Sequence, residues 1–232
     1  MVATRVIAVI LVYQGNVVQT RRFKVTNVVG AAHEAVKEFA SWNADEIIVL
    51  NIGRTYDAGF EQAVEYLSRN CFVPLTVGGG IDSVDKAVKL IRGGADKISV
   101  NTAALQFPQL ITALAHRLGS QAVVVSIDHK IYQDDLWAKE AANLGAGEIL
   151  LNSVERDGTG EGYDLDLIYE VSGAVSIPVI ALGGAGKWSH LLEACNAGAD
   201  ALAVGNMLHY TEHSIVKAKN YLRENGVAIR RP

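Results

Sequence analysis

Five short stretches rich in glycine and small polar residues hold the chemistry this sequence could perform. They are Gly78-Gly79-Gly80, Asn101-Thr102, Arg156-Asp157-Gly158-Thr159-Gly160, Gly183-Gly184-Ala185-Gly186 and Gly205-Asn206. Each follows an apolar, β-branched run. Small residues let backbone N–H groups close on an anion, and the N-terminus of a following helix adds a favourable dipole. Glycines of this kind can also serve only to make tight turns. Because the pattern is repeated in both halves of the chain, it predicts two phosphate sites on opposite sides of one opening. Asp128, at the end of a run, is the carboxylate best placed for general acid/base work there; the other possibility is a solvated loop or cap residue. The matching place in the first half is Leu11, so a catalyst needing one carboxylate from each half would lack one. His129 stands beside Asp128 and is the histidine to test, whereas His33, His116, His190, His209 and His213 read as surface or packing residues.

A second group is Arg5, Glu46, Lys97 and Glu148, each of which begins an apolar run. Two cations and two anions at strand starts could meet as a ring on the opposite face. Read alone, this is a structural salt-bridge ring or a set of surface ion pairs; a gate or docking surface is the functional alternative.

Positioning these residues requires eight strands, predicted at Arg5–Leu11, Glu46–Asn51, Pro74–Val77, Lys97–Val100, Ala122–Ile127, Glu148–Asn152, Pro178–Leu182 and Ala201–Val204. Amphipathic segments such as AAHEAVKEFASW, DSVDKAVKLIRGG, FPQLITALAHRLG and DDLWAKEAANLG lie between them. Apolar strands without polar alternation are covered on both faces, as in a parallel sheet. Eight strands alternating with helices fit a single (βα)8 barrel, an α/β fold, better than an open doubly wound sheet. Residues 73–102 superimpose without a gap on 177–206, an offset of 104 that pairs Pro74, Gly79, Gly80, Gly94, Ala95, Asp96 and Val100 with Pro178, Gly183, Gly184, Gly198, Ala199, Asp200 and Val204. Asn43–Ile47 likewise matches Gly145–Ile149. The chain thus reads as one domain over 1–232, made of half-barrels at about 1–118 and 119–232.

Composition narrows the partners. Half of the 232 residues are hydrophobic, 20% are charged and the net charge is −4, without a basic cluster. This suits an ordinary globular protein and points away from nucleic acid. Cys71 and Cys195 lie in apolar stretches, which predicts two buried thiols in a reducing, cytoplasmic setting. The N-terminal apolar run is too short to span a membrane and reads as a first buried strand. No HExxH or Cys/His spacing implies a metal, and no cofactor is expected.

The motifs TVGGGI (76–81), ADKISVNTAA (95–104), GSQAVVVSID (119–128), GAGEILLNSVERDGTGEGYD (145–164) and GGAGK (183–187) resemble those of the cyclase subunit of imidazole glycerol phosphate synthase, from Arg5 to the C-terminus. The isomerase preceding that enzyme in histidine biosynthesis shares the half-barrel plan but resembles these motifs less closely. The resemblance implies a HisF-like barrel with a HisH-like glutaminase docked on its floor. Ammonia released there would cross the barrel to a phosphorylated small-molecule substrate at the top. It further implies that Arg5, Glu46, Lys97 and Glu148 are an ammonia gate, that Asp96 contacts the glutaminase, and that Gly80, Asn101, Thr102, Asp157, Gly158, Gly184 and Asn206 bind phosphate.

The departures are as informative. Of the family's two catalytic aspartates only the second has a match, Asp128; the first corresponds to Leu11, which cannot exchange a proton. The family's first-loop lysine corresponds to Gln19, an acidic residue to Asn51, and a hairpin-sized segment is absent between Lys130 and Asp134. The start, VILVYQGNVVQTRRFKVTNVVGAAHEAVKEF, is similar to the diverged AglZ-type acetamidino modification branch. That similarity implies a barrel that helps a glutaminase supply ammonia to a sugar amidotransferase in surface polysaccharide biosynthesis. An authentic cyclase, a lyase of histidine biosynthesis, is the second reading, and a non-enzymatic binding or assembly barrel the third.

Overall fold

The structure, a computed structural model, describes residues 3–53, 56, 58–129, 134–210 and 214–230. The segment between Lys130 and Asp134, and His213, lie outside the described residues. In chain order the elements are β1 (Arg5–Tyr13), β2 (Asn16–Arg21), β3 (Lys24–Ala31), α1 (Ala32–Ser41), β4 (Glu46–Asn51), α2 (Ala58–Ser68), β5 (Leu75–Gly78), α3 (Val84–Arg92), β6 (Lys97–Val100), α4 (Thr102–Gln106), α5 (Gln109–Leu118), β7 (Val123–His129), α6 (Asp134–Asn143), β8 (Glu148–Ser153), α7 (Leu165–Ala174), β9 (Val179–Leu182), α8 (Trp188–Asn196), β10 (Ala201–Val204) and α9 (Ser214–Glu224).

Eight of the strands run parallel in the order β1-β4-β5-β6-β7-β8-β9-β10, and β10 returns to β1 with Arg5 opposite Ala201. This closed sheet with helices outside is the expected (βα)8 barrel. The apolar runs divide by parity between two cores. Val6, Ala8, Ile10, Ile47 and Val49 face the helices, while Ile7, Val9, Ile48, Val124, Leu150, Ile180, Ala201 and Ala203 fill the barrel interior. Both faces of each strand are therefore buried, which is why no polar alternation is visible. Pro74 and Pro178 fall just before their strands, because proline has no N–H to give a ladder. Their carbonyls nevertheless accept from Ile47 N and Ile149 N at 2.9 Å.

Residues paired by the repeat make matching contacts. Asp96 Oδ2 accepts from Leu75 N at 2.8 Å and Asp200 Oδ2 from Val179 N at 2.9 Å. Asp45 does the same for Val6 N at 2.8 Å. Each carboxylate satisfies an N–H at the start of a neighbouring strand that the ladder leaves open.

One element is absent from the sequence reading. β2 and β3 form an antiparallel hairpin that extends β1, with Leu11 opposite Val18. The β1–β2 turn is Gln14-Gly15, both at positive φ (49° and 80°), the conformation that matches the twist of a tight hairpin. β1 therefore runs past Leu11 to Tyr13.

Candidate functional site

The C-terminal ends of the barrel strands surround a cavity of about 860 Å³. Its walls differ in character. Val9, Leu11, Leu50, Leu182 and Ala203 make an apolar side, while Ser99, Asn101, Ser126, Asp128 and Asn152 make a polar one. Asp128, on the β7 face that points inward, accepts from Asn101 Nδ2 at 2.7 Å and from Asn152 Nδ2 at 3.3 Å. Two amide donors, one just past the end of β6 and one on β8, thereby fix the plane of the carboxylate. Asn152 is buried, and its Oδ1 has no hydrogen-bond partner among the described residues. An acceptor left open at a cavity wall suits a donor arriving on a ligand.

The glycine turns are where the repeat placed them. Gly79 has φ +113°, and a β-carbon there would lie 2.3 Å from Asn51 O; at Gly183 (φ +100°) it would lie 2.7 Å from Ser153 O. These positions need glycine on steric grounds alone. Gly80, Asn101 and Thr102 line one side of the mouth, and Asp157, Gly158, Gly184 and Asn206 the other.

On that second side the hairpin is fastened down. Asp157 Oδ2 accepts from Thr20 Oγ1 at 2.8 Å and from Phe23 N at 3.0 Å. Asp157 O accepts from Arg22 N at 2.9 Å, and Asn206 Nδ2 donates to Thr20 O at 2.8 Å. A β-carbon on Gly158 would stand 2.0 Å from Thr20 O. Two residues expected to hold phosphate therefore spend their side chains on the chain's own hairpin. Gln19, which corresponds to the family's loop lysine, is buried, and its Oε1 accepts from Asn27 Nδ2 at 3.3 Å within the hairpin.

At the floor, the four strand-start charges form a complete alternating ring. Arg5 Nη1 lies 3.0 Å from Glu46 and 2.8 Å from Glu148, and Lys97 Nζ lies 2.9 Å from each. Thr76 Oγ1 donates to Glu46 Oε1 at 2.6 Å. Glu46 is 1% exposed, so its charge is held by partners rather than water. Asp96, exposed on the same face, caps β5 as described above.

The remaining sequence candidates lie apart from the cavity. His129 is paired with Asp134 at the start of α6 and does not line the mouth. His209 packs on Phe39, with 5.2 Å between ring centres, and burial lowers its pKa. Both cysteines are half-buried rather than fully buried as expected, and burial raises both thiols, that of Cys195 to about 11. Among the described residues no group of three or more His, Cys, Asp or Glu could hold a metal, and no helix is long and apolar enough to cross a membrane. Sequence reasoning missed Thr20, Asn152 and Lys86, the basic side chain among the described residues that lines the cavity. Asn152 was legible as a polar residue ending an apolar strand; Lys86 looked like one of several helix lysines.

Comparison with known proteins agrees with this architecture. The profile of a family described as histidine biosynthesis protein matches residues 5–214. The chain is 42% identical over 250 aligned residues to the imidazole glycerol phosphate synthase subunit HisF of Pelodictyon phaeoclathratiforme, covering 99% of this chain and 100% of that protein. The subunit of the same name from Chlorobium luteolum gives the same identity and coverage. That of Pyrobaculum aerophilum is 43% identical over 235 residues, 93% of each chain. With a closed eightfold barrel and likeness along almost its whole length, the chain belongs to the histidine biosynthesis protein family, as a HisF-like barrel.

Proposed function

We propose that this barrel pairs at its floor with a glutaminase subunit and passes ammonia toward its mouth, serving a sugar amidotransferase that forms acetamidino groups during surface polysaccharide biosynthesis. The observation that carries this reading is the combination of a complete floor ring with a mouth where Leu11, not a carboxylate, shares the cavity with Asp128. Ammonia is small and neutral, and the interior above the ring, lined by Ile7, Ile48, Val124, Leu150 and Ile180, suits a neutral species rather than ammonium. Ser99 and Ser126 then offer hydroxyls on the way to Asp128. Asp96 on the exposed floor is the proposed contact for the glutaminase. The similarity of the first thirty or so residues to the acetamidino modification branch supplies the final acceptor.

With Asp128 acting alone, a mechanism that needs proton transfer at two points is short of one group, a loss typically on the order of 10²–10⁴-fold. The second reading, a working cyclase, draws support from the names of the relatives and from the firmly held Asp128. Incubating the purified barrel with ammonia and the histidine-pathway ribonucleotide separates the two. We expect no turnover by the natural sequence, and measurable turnover after Leu11→Asp. Robust turnover without that change rules out the acetamidino role as the main one. Co-purification with the glutaminase of the same genome tests the floor, and absence of a complex removes the ammonia route.

A further inference from the structure

We infer that the β2–β3 hairpin is a fixed docking platform, beside the mouth, for an acidic, extended segment of the sugar amidotransferase. Residues 21–30 are exposed without a break, whereas Val17, Val18, Gln19 and Thr20 on β2 are buried. The exposed stretch is apolar as well as basic. Phe23, Val25, Val28 and Val29 all face water, Val28 by 67%, beside Arg21, Arg22 and Lys24. Arg21 and Lys24 stand directly opposite each other in the ladder, and neither has a carboxylate partner among the described residues. Like charges so placed repel. Arg22 meets Glu155 at 3.7 Å, with both side chains largely open to water, a pair worth little.

β3 ends the sheet order and pairs with β2 alone among the described residues, so its outer edge offers backbone groups to a further strand. Arg21, Arg22 and Lys24 cluster on a chain whose net charge is −4, and they favour a strand that carries carboxylates. A second copy paired there would bring two basic clusters into one interface, and a lipid surface has no strand to add to β3. The platform is also in place before it is occupied. Asp157 holds Thr20 Oγ1 and Phe23 N, and Asn206 holds Thr20 O. A surface already ordered loses little entropy on binding. Phe23 and Val25 line the cavity, so a segment seated on the hairpin stands at the mouth. An acceptor at that place meets ammonia before water protonates it.

The inference rests on the acetamidino reading for the identity of its partner. Biolayer interferometry of the full barrel against the purified sugar amidotransferase of the same genome is the test. Binding is expected to weaken about tenfold or more when salt is raised from about 0.05 M to about 0.5 M. Arg21→Glu sets an anion opposite Lys24, which keeps the hairpin paired and the urea midpoint of the barrel unlowered. It should nevertheless weaken the complex about tenfold or more. Val28→Thr, still β-branched, should weaken it about threefold through lost apolar contact. In the complex, amides of residues 24–31 should exchange about tenfold more slowly. Carbodiimide coupling should join Lys24 to an aspartate or glutamate of the amidotransferase. Binding that Arg21→Glu leaves intact, coupling that bypasses Lys24, or unslowed exchange in β3 overturns the inference and leaves the acetamidino reading standing. A natural barrel that binds no amidotransferase overturns both. Self-association by light scattering, or binding to phosphatidylglycerol vesicles, that Arg21→Glu abolishes while the amidotransferase fails to bind gives the hairpin to another occupant and equally overturns the inference.

Discussion

The hydroxyl of Thr20 donates to Asp157 Oδ2 at 2.8 Å across 137 residues of sequence. This bond joins the hairpin that follows the first barrel strand to the loop that follows β8, along one side of the mouth. It also holds an unfavourable turn. Arg22 and Phe23 sit at φ 51° and 62°, left-handed conformations that cost non-glycine residues on the order of 1–3 kcal/mol each. Three hydrogen bonds to Asp157, from Thr20 Oγ1, Arg22 N and Phe23 N, offset that strain.

Asp157→Ala removes the side-chain acceptor for two of these bonds and should release the hairpin without unfolding the barrel. Hydrogen–deuterium exchange is the direct measure. Amides of residues 16–31 are expected to exchange about ten- to a hundredfold faster, the equivalent of losing about 1–3 kcal/mol of local hydrogen bonding. Amides of β7 and β8 should be unchanged. Equal acceleration throughout the chain would mean that Asp157 supports the whole fold rather than the hairpin.

Breaking the floor ring should be far costlier than its location at a strand end suggests. Glu46 accepts from Arg5, Lys97 and Thr76 and is almost wholly buried. Glu46→Ala leaves two cations short of an anion, and removing one member of a buried ion pair typically costs about 3–5 kcal/mol. Urea unfolding followed by circular dichroism should show a loss of that size. Glu46→Gln, which can keep an acceptor for Thr76, should lose less. A change under about 1 kcal/mol for the alanine variant would mean that water already shares the ring.

The strands, the glycine turns and the floor charges were legible because each is a local signal: an apolar run, a residue type that only a tight turn requires, a charge at a run's edge. The hairpin was not. Gln14-Gly15 is an unusual pair for its turn, and Arg22-Phe23 carries no turn signature at all, since its conformation depends on Asp157 far along the chain. The same limit applies to the mouth. Asp128 is visible near the end of a strand, yet its two amide partners come from elsewhere, Asn101 just past β6 and Asn152 on β8. The repeat did suggest two equivalent phosphate cradles, but side chains that the repeat does not share, Lys86 against His190, make the halves electrostatically unlike.

Lys219 supplies a test of a buried charge distant from the mouth. It is 1% exposed on α9, and its Nζ donates to Asp45 Oδ1 at 2.8 Å and to Asn43 O at 2.7 Å. Asp45 also caps β1 through Val6 N, so this one pair ties the last helix to the barrel floor. Lys219→Met keeps the length of the side chain but strands the Asp45 carboxylate, with an expected loss of about 3–5 kcal/mol. Combining it with Asp45→Asn should recover part of that loss, which a double-mutant cycle by urea unfolding measures. Additive effects would show that the two residues act separately.

His209 gives the fold a pH dependence with a definite sign. Burial against Phe39 lowers its pKa below the ordinary histidine value of about 6.5, so the unfolded chain binds a proton more readily than the folded one. Between the lowered folded value and the unfolded value, the denatured state therefore carries more protons, and stability rises with pH. The contribution is complete above about pH 6.5 and is lost progressively as pH falls through the window below it. Thermal unfolding from pH 7.5 down to pH 5 should show the natural sequence losing stability, and His209→Phe should flatten that part of the profile. The diagnostic quantity is the difference between the two profiles. A difference independent of pH over this range would mean that His209 takes up its proton equally in both states and contributes packing alone.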